Sequence, residues 1–181
     1  MRILVAGVGN IFFGDDAFGC EVASALLARP QREGVRVADF GIRSYDLAYA
    51  MMEDYDATIL IDASPRGEKA GTLYLIEPQI KKLDESADEV VNAHSMNPVR
   101  VLQLVHSLGG QPRNLFVVGC EPQVLESADG RIGLSTKMQA AIAPAVDMID
   151  QLVTDLIEGR SPAISEMQNN YNQTLQSGEV R

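Results

Sequence analysis

Tryptophan is missing from this chain, and cysteine and histidine occur only twice each among its 181 residues. Cys20 and Cys120 are too few for a disulfide scaffold, and there is no Cys-x-x-Cys zinc pattern. They read as two reduced thiols in a cytoplasmic protein. Basic residues are also scarce: 15 Lys and Arg face 25 Asp and Glu, for a formal net charge of −10. Phosphate backbones and anionic membrane surfaces both select a basic face, so nucleic acid and membrane are excluded as partners. No apolar run approaches the ~18 residues of a membrane helix. Residues 3–6 run straight into Gly7, which marks a strand rather than a signal peptide.

What is present is ordinary for a soluble globular protein: 46% hydrophobic and 22% charged residues. The length suits one domain, over residues 1–159, followed by a polar, aperiodic tail over 160–181 that is expected to be loosely ordered. Within the domain, short apolar runs alternate with helical periodicity. Strands are predicted over 2–7, 34–40, 57–63, 72–77 and 115–120. Helices are predicted over 16–29, over 44–54 with Ser44 as cap, after Asn97-Pro98, and over 135–158, where Pro144 should kink or divide the helix. This order predicts an α/β fold of three layers: a mostly parallel five-stranded sheet with helices on both faces.

In such sheets the functional site lies beyond the carboxyl ends of the strands. The polar residues there are mainly acidic: Asp15 and Asp16 after the first strand, Asp39 after the second, Asp62 at the end of the third, and Glu121 after the fifth. His94 lies in the loop before the Asn97 helix, whereas His106 sits among surface-type residues of that helix. A dinucleotide site is disfavoured. Gly7-x-Gly9 has Phe12 where a third glycine belongs, and two aspartates occupy the helix start that a pyrophosphate would need. Asp15 and Asp16 also suit a helix cap, and Asp62 also suits a loop cap. Two carboxylates and one imidazole make an O, O, N donor set with open positions, which zinc, nickel or iron would fit on chemistry alone.

The opening MRILVAGVGNIFFGDDAFG, followed in order by VADFG, ATILIDA, AHSMNPVRVL and LFVVGCEP, resembles the nickel–iron hydrogenase maturation endopeptidases over roughly residues 1–155. The resemblance implies a twisted five-stranded sheet between helices. It implies three metal ligands, which carry over to Asp16, Asp62 and His94, and an acidic cleft position at Asp39 that would orient water or the His94 ring. Many relatives carry Glu where this chain has the shorter Asp16. The implied activity is removal of the C-terminal extension from a nickel-loaded large-subunit precursor, with nickel supplied by the substrate and this protein acting as a monomer. Phe12, Phe13 and the 40–44 loop are expected near the mouth of the cleft, either gripping the extension or packed under their loop. Two other readings are a cysteine hydrolase with Cys120 as nucleophile and His94 as base, and a nickel-dependent chaperone that binds the precursor without cutting it.

Overall fold

The computed structural model of the chain describes residues 1–78, 98–123 and 132–177. The sheet is built from β1 (Ile3–Val8), β2 (Val35–Gly41), β3 (Ala57–Ala63), β4 (Leu73–Ile76) and β5 (Asn114–Cys120), in the order β2-β1-β3-β5-β4. The first four strands in that order are parallel, and β4 closes one side antiparallel to β5. β1 and β3 are buried along their whole length, which explains their apolar, β-branched sequences.

Alternate residues of each strand face opposite layers. Ile3, Val5, Ile59, Ile61, Phe116 and Val118 pack under α1 (Phe18–Leu27), α4 (Thr136–Ile157) and α5 (Ile164–Ser177). Leu4, Ala6, Val8, Leu60, Leu115 and Val117 pack under α2 (Ser44–Met51) and α3 (Pro98–Ser107). The three-layer α/β/α architecture expected from the strand–helix alternation is thus present. Among the described residues, no helix is long and apolar enough to cross a membrane.

Two glycines set how closely α1 approaches the sheet. A Cβ on Gly19 would lie 2.1 Å from the Ile61 carbonyl oxygen and 2.3 Å from that of Val8. A Cβ on Gly7 would lie 2.3 Å from the Gly19 carbonyl oxygen. The start of α1 therefore rests directly on the carboxyl ends of β1 and β3.

Three local expectations are corrected. The segment after Gly159 is not a loose tail: Ile164–Ser177 forms α5, with Met167 buried. Its polar residues have a structural use. Asn172 accepts from the Leu73 N–H at 2.8 Å and donates to the Leu73 carbonyl at 2.9 Å, while Gln168 accepts from the Leu75 N–H at 3.4 Å. Asp155, buried near the end of α4, accepts from Arg160 at 2.6 and 2.9 Å, fixing the turn into α5. Second, Ser44 is the first residue of α2, and the cap position, Arg43, makes no side-chain cap bond. Third, of the two outcomes expected at Pro144, a kink or a division, division does not occur, since α4 is a single helix of 22 residues. Ser135 caps that helix, accepting from the Met138 N–H at 3.4 Å. The stretch 81–92 and Asn97 lie outside the described residues.

Candidate active site

β1 has β2 on one side and β3 on the other, so the chain reverses its winding at the β1/β3 boundary. A crevice opens outside the carboxyl ends of strands at such a point. Both aspartates singled out in the sequence lie there. Asp62 is the penultimate residue of β3. Asp16 sits in the 3-10 turn Gly14–Ala17 that joins the glycine loop to α1. Both carboxylates are buried, at 5% and 8% exposure.

Burial pushes the Asp62 carboxyl well above the usual carboxylate range, and the charge of Asp16 pushes it further; the Ala63 N–H opposes both only partly. Asp16 is raised as well, by burial, against the Asn10 N–H that donates to its Oδ2 at 2.7 Å. Two buried acids that repel each other are costly as a pair of anions and are relieved by a proton or a cation. Among the described residues, no three His, Cys, Asp or Glu side chains group to hold a metal. His94 lies outside the described residues, so the described part of the expected donor set is this carboxylate pair. As donors, two carboxylate oxygens short of positive charge suit a divalent cation, with the choice of metal left to any further ligand.

Asp39 lies on the same rim, partly buried, with Oδ1 accepting from the Gly41 N–H at 2.9 Å and its carbonyl accepting from Arg43. Near both Asp39 and Asp16 lies Cys20, which composition marks only as a reduced thiol. The Cys20 thiol donates to the Gly9 carbonyl at 3.4 Å. Burial, its hydrogen bond to Asp39, and the charges of Asp39, Asp16 and Glu21 push it up to about 12. It therefore stays protonated, donating to the Gly9 carbonyl. Its place one turn into α1, after the acidic pair, is its only sequence signal.

The neighbouring acids have other work. Asp15 accepts the N–H of Ser135 at 2.6 Å and of Gln123 at 2.8 Å, pinning the start of α4 and the exit of β5 to the 3-10 turn. This goes beyond the local capping its position suggested. Glu121 gathers the loop after β3, accepting from the N–H of Arg66 at 2.8 Å and Gly67 at 3.2 Å and from the Tyr74 hydroxyl. Burial would raise its carboxyl, but Tyr74 and the N–H groups of Arg66, Gly67 and Glu68 outweigh it and hold the acid below the ordinary range.

Cys120 is no nucleophile. Its thiol is fully buried 3.3 Å from the Met138 sulfur. Burial first, then the charges of Asp15 and Glu121, pushes it far above the thiol range, the reverse of what a cysteine hydrolase requires. His106 is exposed on α3, as expected for a solvated histidine.

Comparison with known proteins agrees with this architecture. The hydrogenase maturation protease family matches residues 20–152, a span that takes in Asp39, Asp62 and His94 and begins just after Asp16. A putative hydrogenase maturation protease of Methanocaldococcus jannaschii is 32% identical over 152 residues, covering 81% of this chain and 93% of its own length. The hydrogenase 2 maturation protease of Escherichia coli is 30% identical, covering 82% and 88%. The solved structure of the E. coli hydrogenase maturating endopeptidase HybD superposes with a TM-score of 0.68 at 29% identity, covering 88% of this chain and 94% of that one. A strand-end crevice carrying paired acids, on a sheet shared with these enzymes, makes this chain a member of the hydrogenase maturation protease family and a peptidase of hydrogenase maturation.

Proposed function

We propose that the protein removes the C-terminal extension of a nickel-loaded nickel–iron hydrogenase large-subunit precursor, acting as a cytoplasmic monomer. The observation that carries this reading is the buried, mutually repelling pair Asp16 and Asp62 at the carboxyl ends of β1 and β3. Asp16, Asp62 and His94 would contact the nickel ion that the substrate brings. That ion supplies a Lewis acid and the positive charge the two carboxylates are short of. The protein's own groups do the rest. The Asn10 N–H holds Asp16 in one orientation. Cys20 ties α1 to the Gly9 loop, and Asp39, held by the Gly41 N–H, stays on the rim to orient a water or the imidazole of His94.

The test is the intact mass of the precursor after incubation with the protein, nickel-loaded and nickel-free in parallel. Loss of a C-terminal peptide from the loaded form alone is the expected result. Cleavage of both forms would overturn the nickel requirement. Binding without any mass change would overturn the endopeptidase reading in favour of a chaperone.

A further inference from the structure

Outside the carboxylate site, the two lysines among the described residues, Lys69 and Lys137, line one cavity of about 220 Å³. Its walls come from the turn before β4, the first turns of α4 and the end of α5, with Ala70, Gly71, Thr72, Ala140, Asn172 and Leu175 completing the lining. Among the described residues no acid lines it. Backbone bonds bring the lysines together. The Thr72 N–H donates to the Lys69 carbonyl at 3.0 Å and closes a turn, which the Gly71 N–H and the Thr72 carbonyl fasten to the backbone of Glu121, both at 2.8 Å. Gly71 lies against α4: a Cβ there would sit 3.2 Å from the Lys137 carbonyl oxygen. α5 closes the remaining side, held by the two bonds between Asn172 and the Leu73 backbone. Although the chain carries −10, neither lysine makes an ion pair with a described residue, whereas Arg2, Arg29, Arg36, Arg113 and Arg160 each pair with an acid.

A concave site lined by charge of one sign concentrates the opposite ion. We propose that this cavity binds a small dicarboxylate, one carboxylate on each lysine. Three observations choose that class. The volume is roughly seven waters' share of liquid, too small for a protein segment and enough for an acid the size of succinate. The two ammonium groups come from separate elements, so two charges held apart in one ligand meet them better than one compact anion. The other walls include the carbon of Ala70, Ala140 and Leu175, which suits a short carbon chain between the charges, and Thr72 adds a hydroxyl that can donate to a carboxylate. A ligand seated there touches the turn before β4, α4 and α5 at once, so its binding stabilises the folded unit by mass action.

The experiment titrates succinate into the full-length protein by calorimetry at low ionic strength, with acetate and inorganic phosphate in parallel and sodium chloride matching the salt. Succinate should bind and raise the melting temperature, and acetate should bind about tenfold more weakly. Lys69→Met and Lys137→Met should each weaken succinate by about tenfold or more, the loss of one hydrogen bond to a charged group. Both side chains are exposed, so ligand-free melting temperatures at the wild-type value serve as the folding control. Ala140→Glu places a carboxylate of the chain itself at the cavity and should abolish succinate binding. Absence of succinate binding, equal affinity for acetate, or an unchanged affinity in either lysine variant would overturn the proposal. Phosphate bound more tightly than succinate, with the same dependence on both lysines, would overturn the dicarboxylate and assign the cavity to a phosphate group.

Discussion

Asp62 is held where ionisation costs most: wholly buried, with Asp16 as its charged neighbour. A carboxyl whose folded-state pKa lies above its unfolded one adds stability below about pH 4 and loses it as pH rises through the raised value. At neutral pH the metal-free protein therefore bears the cost of burying that acid. Asp62→Asn removes it and should raise the melting temperature of the metal-free protein by a few degrees, since about 1 kcal/mol is worth ~2–4 °C at this chain length. The same variant should lose far more processing activity than the ~10–100-fold typical of an outer-shell partner. Calorimetry beside a cleavage assay checks both, and a lower melting temperature would contradict the burial argument. Glu121 titrates the other way. Its carboxyl is held low by the loop it gathers, so its stability is present above about pH 4 and is lost as pH falls through the lowered value. Glu121→Gln should be on the order of 2 kcal/mol less stable at neutral pH. The gap to wild type should close on acidification, as read by urea unfolding over a pH series. Strand-end position draws Asp16 and Asp62 out of the sequence together with Asp15, Asp39 and Glu121, and the family resemblance narrows that set to the pair. The duties of Asp15, Cys20 and Glu121 are not legible there, because their partners are set by the fold: Asp15 reaches Gln123 and Ser135, more than a hundred residues away.

At the level of elements, the closeness of α1 to β1 and β3 decides whether Asp16 faces Asp62. Gly19→Ala forces a methyl onto two strand carbonyls, with no flexible side chain to give way. The expected cost is about 1–3 kcal/mol, together with reduced cleavage as the 3-10 turn is displaced, measured by unfolding and by processing of the precursor. The strands are legible because apolar, β-branched runs punctuated by glycine have few other uses, and β3 occupies the very residues its sequence predicts. α5 is hidden by its polar composition. Its apolar residues Ile164, Met167, Tyr171 and Leu175 do follow a helical spacing, and they pack on the same core as α4. Its other contacts are amide side chains bonded to a strand backbone, for which composition offers no signal.

For the whole molecule, α5 is therefore part of the folded unit rather than an appendage. A chain ending at Gly159 should lose the burial of Met167 and the amide bonds to Leu73 and Leu75, and melt well below the full-length protein. Asn172→Ala should do so to a smaller degree, by roughly 1–2 kcal/mol. A truncated chain as stable as the full one would return the segment to the status of a tail. The sheet also divides its surfaces between two duties. Helices cover both faces, and the strand ends carry the acids.

β4 is the antiparallel edge of that sheet, and an uncovered edge of apolar sequence invites strands from other chains to add to it. Asn172 fills both the N–H and the carbonyl of Leu73, much as a neighbouring strand would, but from a side chain whose pairing cannot propagate. The helix thereby ends the sheet. A peptidase, whose work brings other polypeptide chains to it, is thereby guarded against adding one of them to its own sheet along this edge.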